Sequence, residues 1–150
     1  MLTVGFIEKS AGLILAWRFL LFTSVFLGFF SLSAHAFERY TAHGGPVRGL
    51  ALSPDGKMLV TASFDYSAVV WRAKALEEYT TLLGHEAAVN TAAFSPDGKV
   101  LATAGDDGVI LLWTKAQLGQ ETPQPVILRG HKGKIVDLAF SHDGKTLASA

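Results

Sequence analysis

An all-β repeat protein made of β-propeller blades is the fold class predicted by three markers that recur in step along the chain. Histidines stand at 43, 85 and 131, Ser-x-Asp-Gly turns begin at 53, 95 and 141, and tryptophans close the first two units at 71 and 113. The first interval is 42 residues for all three markers, and the second is 46 for the two that remain. The unit Leu82–Trp113, LLGHEAAVNTAAFSPDGKVLATAGDDGVILLW, repeats Tyr40–Trp71, and a third copy runs from Leu128 to Ala150. A period of roughly 40 to 45 residues with a His near its start and a Trp near its end is the spacing of propeller blades.

Ahead of the repeats, Lys9 and Arg18 precede the apolar run Phe19–Phe30, which is followed by Ser31-Leu-Ser-Ala34-His35-Ala36. A basic flank, an apolar core and an Ala-x-Ala ending predict a signal peptide over residues 1–36, cleaved after Ala36. The competing reading is an uncleaved membrane anchor, because the apolar stretch from Leu13 approaches the roughly 20 residues that span a bilayer. Arg18 interrupts that stretch and small residues crowd its end. Either reading delivers the repeats outside the cytoplasm, most simply to a bacterial periplasm.

From Phe37 onward the sequence predicts short strands separated by turns. In the second unit these are Val89–Phe94, Lys99–Gly105 and Val109–Lys115, joined by Ser95-Pro96-Asp97-Gly98 and by Asp106-Asp107-Gly108. Pro96 presets φ at the first corner of its turn, and Gly98 takes positive φ without steric cost. A fourth strand is expected beyond each Trp, at Glu78–Leu83 and Pro125–Leu128. The longer stretch Lys115–Pro125 accounts for the 46-residue interval and reads as a surface excursion. Val69-Val70-Trp71 and Leu111-Leu112-Trp113 have no polar alternate position, as a sheet covered on both faces requires. Asp106 matches Phe64 of the first unit and reads as a solvated loop residue without a role.

Composition narrows the function. The chain has no cysteine, five histidines and a formal net charge of zero. Removing residues 1–36, which hold Glu8, Lys9 and Arg18, leaves 11 basic against 12 acidic residues. Nucleic-acid backbones demand clustered Lys and Arg, and no such cluster is present. A disulfide framework, a cysteine zinc site and a covalently attached haem are excluded within these 150 residues.

The His, turn and Trp markers resemble the WD-repeat β-propeller family over residues 37–150. Ala42 stands where that family usually has Gly, and Arg72 and Thr114 follow the tryptophans in place of Asp. The resemblance implies a structural hydrogen-bond chain: His43, Thr61 or Ser63, Asp65 and Trp71 in the first unit, and His85, Thr103, Asp107 and Trp113 in the second. His131 and Ser149 are the matching residues of the third. Gly105 replaces the counterpart of Ser63. Buried polar groups left unpaired cost about 1 to 3 kcal/mol each, so such a network is sufficient reason for these residue types without metal ligation or catalysis. His142-Asp143 occupies the place of Pro54-Asp55 and Pro96-Asp97 and reads as a turn, not a metal dipeptide.

The resemblance further implies a non-enzymatic scaffold that binds a protein partner, with no metal and no cofactor in this chain; the amino-terminal segment makes it exported, and the charge distribution leaves no nucleic-acid partner. Membrane contact would come only through an uncleaved amino terminus. Thr41-Ala-His-Gly-Gly-Pro-Val47 and Thr61-Ala-Ser-Phe-Asp-Tyr-Ser67 are similar to the opening of exported proteobacterial WD-repeat proteins whose longer forms end in a single-haem cytochrome c domain. On that alternative, haem belongs to sequence beyond Ala150. A propeller hydrolase or lactonase is the enzymatic alternative, and it would need channel-facing carboxylate, Asn or His clusters around a metal.

The array itself is expected to be incomplete, with two full blades in repeats of about 40–83 and 84–128, and a third, 129–150, that stops inside its second strand. Propellers typically have about 4 to 8 blades, or roughly 170 to 340 residues at this period, against the 114 that follow residue 36. A strand at Phe37–Tyr40 is expected to complete a last blade and lock the ring.

Overall fold

Residues 42–150, the part of the chain that the computed structural model describes, form ten strands in three antiparallel sheets. The signal peptide expected over residues 1–36 and the strand expected at Phe37–Tyr40 lie outside the described residues. The first sheet runs β1 (Val47–Leu52), β2 (Met58–Ser63), β3 (Ala68–Arg72) and β4 (Glu77–Leu82) in simple meander order. The second repeats that order with β5 (Val89–Phe94), β6 (Val100–Gly105), β7 (Ile110–Thr114) and β8 (Val126–Leu128). The third sheet consists of β9 (Leu138–Phe140) paired with β10 (Leu147–Ser149).

Each first hairpin is closed by the same side-chain device. Ser53 Oγ donates to Asp55 Oδ1 at 2.7 Å and accepts from the Met58 amide at 2.9 Å, while Asp55 accepts from the Lys57 amide at 3.1 Å. Ser95 with Asp97, and Ser141 with Asp143, repeat that pattern, so His142 lies in a turn. These bonds satisfy turn amides that the ladder cannot reach, which favours Ser and Asp at those two positions.

Alternation along the strands puts neighbouring residues on opposite faces of a sheet, and the middle sheet uses both. Leu101, Leu111 and Trp113 pack with Val60, Val70 and Leu82 of the first sheet. On the other side Ala102, Ala104 and Ile110 pack with Ile135 and Leu138. Fully burying a Val or Leu side chain contributes about 1.5 to 3 kcal/mol, so stacking of sheets is the main source of stability. Strand β1 lies beside β5, and β5 beside β9, which places the first strand of each sheet along one edge of the stack. Gly49 permits that approach, since a Cβ there would sit 2.8 Å from the Asn90 carbonyl oxygen.

The 115–125 stretch lies mostly at the surface, as expected, but one of its residues does not. Its 3-10 turn, Gln117–Gly119, inserts Leu118 into the core between the first two sheets, where it is 1% exposed. Gln117 holds the segment in place by accepting from the Thr114 amide at 2.7 Å and donating to the Gln124 carbonyl at 2.6 Å. One apolar side chain among polar neighbours has no periodicity, so nothing local distinguishes it from an exposed leucine.

Candidate functional site

The histidine loops, the turns between the second and third strands and the start of each first strand converge at one end of the stack. In the first sheet His43 Nδ1 lies 2.9 Å from Asp65 Oδ2, and Nε2 lies 2.6 Å from Thr61 Oγ1. An ionised carboxylate only accepts, so in the neutral ring Nδ1 carries the proton and Nε2 accepts from the Thr61 hydroxyl. Trp71 Nε1 in turn donates to Thr61 Oγ1 at 2.9 Å. The chain therefore runs from indole to hydroxyl to imidazole to carboxylate. Asp65 also receives the Gly44 amide at 2.8 Å and the Ser67 hydroxyl at 2.6 Å, tying the loop to the turn.

The second sheet repeats this geometry. His85 meets Asp107 at 2.8 Å and Thr103 at 2.9 Å, and Trp113 Nε1 donates to Thr103 at 3.1 Å. Asp107 also accepts from the amides of Glu86 and Val109, each at 3.1 Å. In the third sheet His131 Nε2 lies 2.7 Å from Ser149 Oγ. Of the two hydroxyls open to His43, Thr61 is the one engaged. Ser63 Oγ instead donates to the Gly45 carbonyl at 3.1 Å and accepts from the Asp65 amide at 3.2 Å.

Burial pushes the carboxyls of Asp65 and Asp107 up, but the hydrogen bonds converging on them outweigh it and leave both below the ordinary value of 3.8. For Asp65 the leading donor is Ser67, followed by Gly44 and His43; for Asp107 it is His85, followed by Val109. The imidazoles of His43 and His85 have both nitrogens engaged, in nearly enclosed sites. Such rings have no free lone pair for a metal and no free proton for a substrate, and the arrangement can lock a loop onto a sheet.

Two sets of residues at this end escape the repeat pattern. Asp106 is the exposed turn residue expected, but it has a role: Asn90 Nδ2 donates to its Oδ1 at 2.6 Å and to the Ile135 carbonyl at 2.9 Å. Asn90 is 8% exposed and its Oδ1 has no partner among the described residues. It occupies a β-bulge at the start of β5, which re-aims its side chain, and Arg48 holds the matching bulge in β1. The second set is Arg48 with Phe64, the guanidinium lying 4.8 Å from the ring centroid. The sequence signal for both was the difference between units at matched positions, which periodicity treats as noise.

Repeated four-stranded meanders, each locked by a His, hydroxyl, Asp and Trp chain, define the blades of a β-propeller. The family model described as "WD domain, G-beta repeat" matches residues 35–72, 76–114 and 123–150, more than two thirds of the chain, which belongs to the WD40-repeat family. The matched unit 76–114 begins just before β4 and ends with β7, so a unit of sequence straddles two sheets. Proteins of this family generally act as non-enzymatic platforms for protein–protein interaction. No curated protein matches the chain.

Proposed function

We propose that this chain is a non-enzymatic interaction scaffold exported to a bacterial periplasm, where it holds a protein partner. The observation that carries the scaffold reading is the saturation of the network: each catalytically suggestive His and Asp in the first two sheets is consumed by bonds that fasten loops to strands. A rigid end bearing short, well-anchored loops suits recognition of a surface. Export is supported by Lys9, Arg18, the apolar run and Ala34-His35-Ala36.

Intact-mass measurement on protein from the periplasmic fraction tests export. A chain beginning at Phe37 supports it, and a membrane-embedded form beginning at Met1 favours the anchor. The second reading, a propeller joined to a c-type cytochrome, is favoured by the Thr41–Val47 and Thr61–Ser67 phrases. Covalent haem on the natural polypeptide, sought by its absorbance after denaturing electrophoresis, decides between that reading and the plain scaffold.

A further inference from the structure

At the network end of the stack the first sheet departs from the second at three neighbouring positions. At the bulge Arg48 stands for Asn90, before the network Asp Phe64 stands for Asp106, and after it Tyr66 stands for Gly108. In the second sheet these residues are small or bonded to groups of the chain itself. Asn90 bonds Asp106, and Gly108 fits beneath the Gly133 carbonyl, which a Cβ would approach to 2.9 Å. In the first sheet they are an arginine and two aromatics at the surface, with Phe64 38% and Tyr66 53% exposed.

Tyr66 adopts φ 70°, a left-handed conformation that is strained for a bulky residue and free for the glycine in the matching place. Its side chain stays more than half in solvent, so packing does not compensate the strain. Asp65 lies between the two aromatics, but its oxygens are taken by His43, Gly44 and Ser67. Among the described residues no carboxylate lies within ion-pair distance of Arg48. A guanidinium resting on an aromatic face, with no carboxylate beside it among the described residues, is preorganised to receive one in bidentate fashion.

We propose that Arg48, Phe64 and Tyr66 form a docking patch for a protein segment that carries a carboxylate beside an apolar side chain. The carboxylate meets the Arg48 guanidinium, and the apolar group covers the rings of Phe64 and Tyr66. Arg and Tyr are among the residue types that dominate binding energy at interfaces. The inference rests on the scaffold reading and adds to it the site and the chemistry of the partner.

The test places a photo-cross-linking amino acid in the full chain at Tyr66 and, separately, at exposed Leu83, followed by irradiation in the native cells and sequencing of the attached peptides. An adduct at Tyr66 whose partner peptide pairs Asp or Glu with an apolar neighbour is the expected result. Adducts at Leu83 alone overturn the patch and leave the scaffold standing, whereas no protein adduct at either position overturns both. The synthetic form of the captured peptide is then titrated calorimetrically. Arg48→Ala and Tyr66→Gly should each weaken it about tenfold or more, while Tyr66→Gly raises the thermal midpoint by relieving the left-handed backbone. A fall in that midpoint, or unchanged affinity, shows that Tyr66 is held for structure and overturns the proposal.

Discussion

A threonine hydroxyl that accepts from an indole and donates to an imidazole has its main hydrogen-bonding roles filled, which is why Thr61 and Thr103 are buried without penalty. Removing one member of such a chain strands the others. Asp107→Ala leaves His85 Nδ1 and the amides of Glu86 and Val109 without their acceptor, and we expect a loss of about 2 to 4 kcal/mol in denaturant unfolding. Asp106→Ala removes one acceptor from the Asn90 amide, which keeps the Ile135 carbonyl, so about 1 kcal/mol is expected. Equal losses in the two variants would contradict this assignment. Sequence alone put the effect of Asp106 near zero; its partner sits 16 positions away on a bulged strand whose side-chain direction only the register decides.

Acid sensitivity is expected at the hairpin turns. Hydrogen bonds from Ser53 and Ser95, then from the Lys57 and Lys99 amides, hold Asp55 and Asp97 down to about 2 from the ordinary 3.8. A carboxylate with a depressed folded pKa adds stability that is complete above its unfolded value and is lost as pH falls through its folded value. The urea midpoint should therefore decline between about pH 4 and pH 2, and Asp97→Asn should make that decline shallower. An unchanged slope would show that the turn is not a source of the acid sensitivity. The 115–125 segment makes a different prediction at the same scale. Leu118→Ala opens a cavity between two sheets and should cost about 2 to 5 kcal/mol, where an exposed leucine would cost almost nothing.

Stacking explains the behaviour of the molecule as a whole. Ala92 and Phe94 of β5 are covered by the first sheet, but their counterparts Leu50 and Leu52 are 67% and 60% exposed. At the other side of the array Val126, Leu128 and Val136 are exposed as well. Apolar faces of this kind promote association. Residues 37–150 produced alone should elute from size-exclusion chromatography as oligomers or aggregates, and Leu50→Lys combined with Leu52→Lys should shift them toward the monomer. A stable monomer with one sharp unfolding transition would contradict this account.

Contacts inside one unit lie at constant sequence offsets: His43 to Thr61 and His85 to Thr103 are both 18 residues apart, and each His precedes its Asp by 22. Periodicity therefore exposes the division into sheets, the turn chemistry and the residue types of the network before any coordinate is known. Contacts between units have no such regularity. The seating of Leu118 between two sheets and the Asn90 link to Ile135 were decided only by the tertiary structure, as were, inside a unit, the choice of Thr61 over Ser63 and the pairs that meet at the bulges, Asn90 with Asp106 and Arg48 with Phe64. They depend on bulges and on the way one sheet face fills the next. Strand pairing inside a blade follows from local alternation and turn length, whereas packing between blades is settled by side-chain volume and direction summed over residues far apart in the chain.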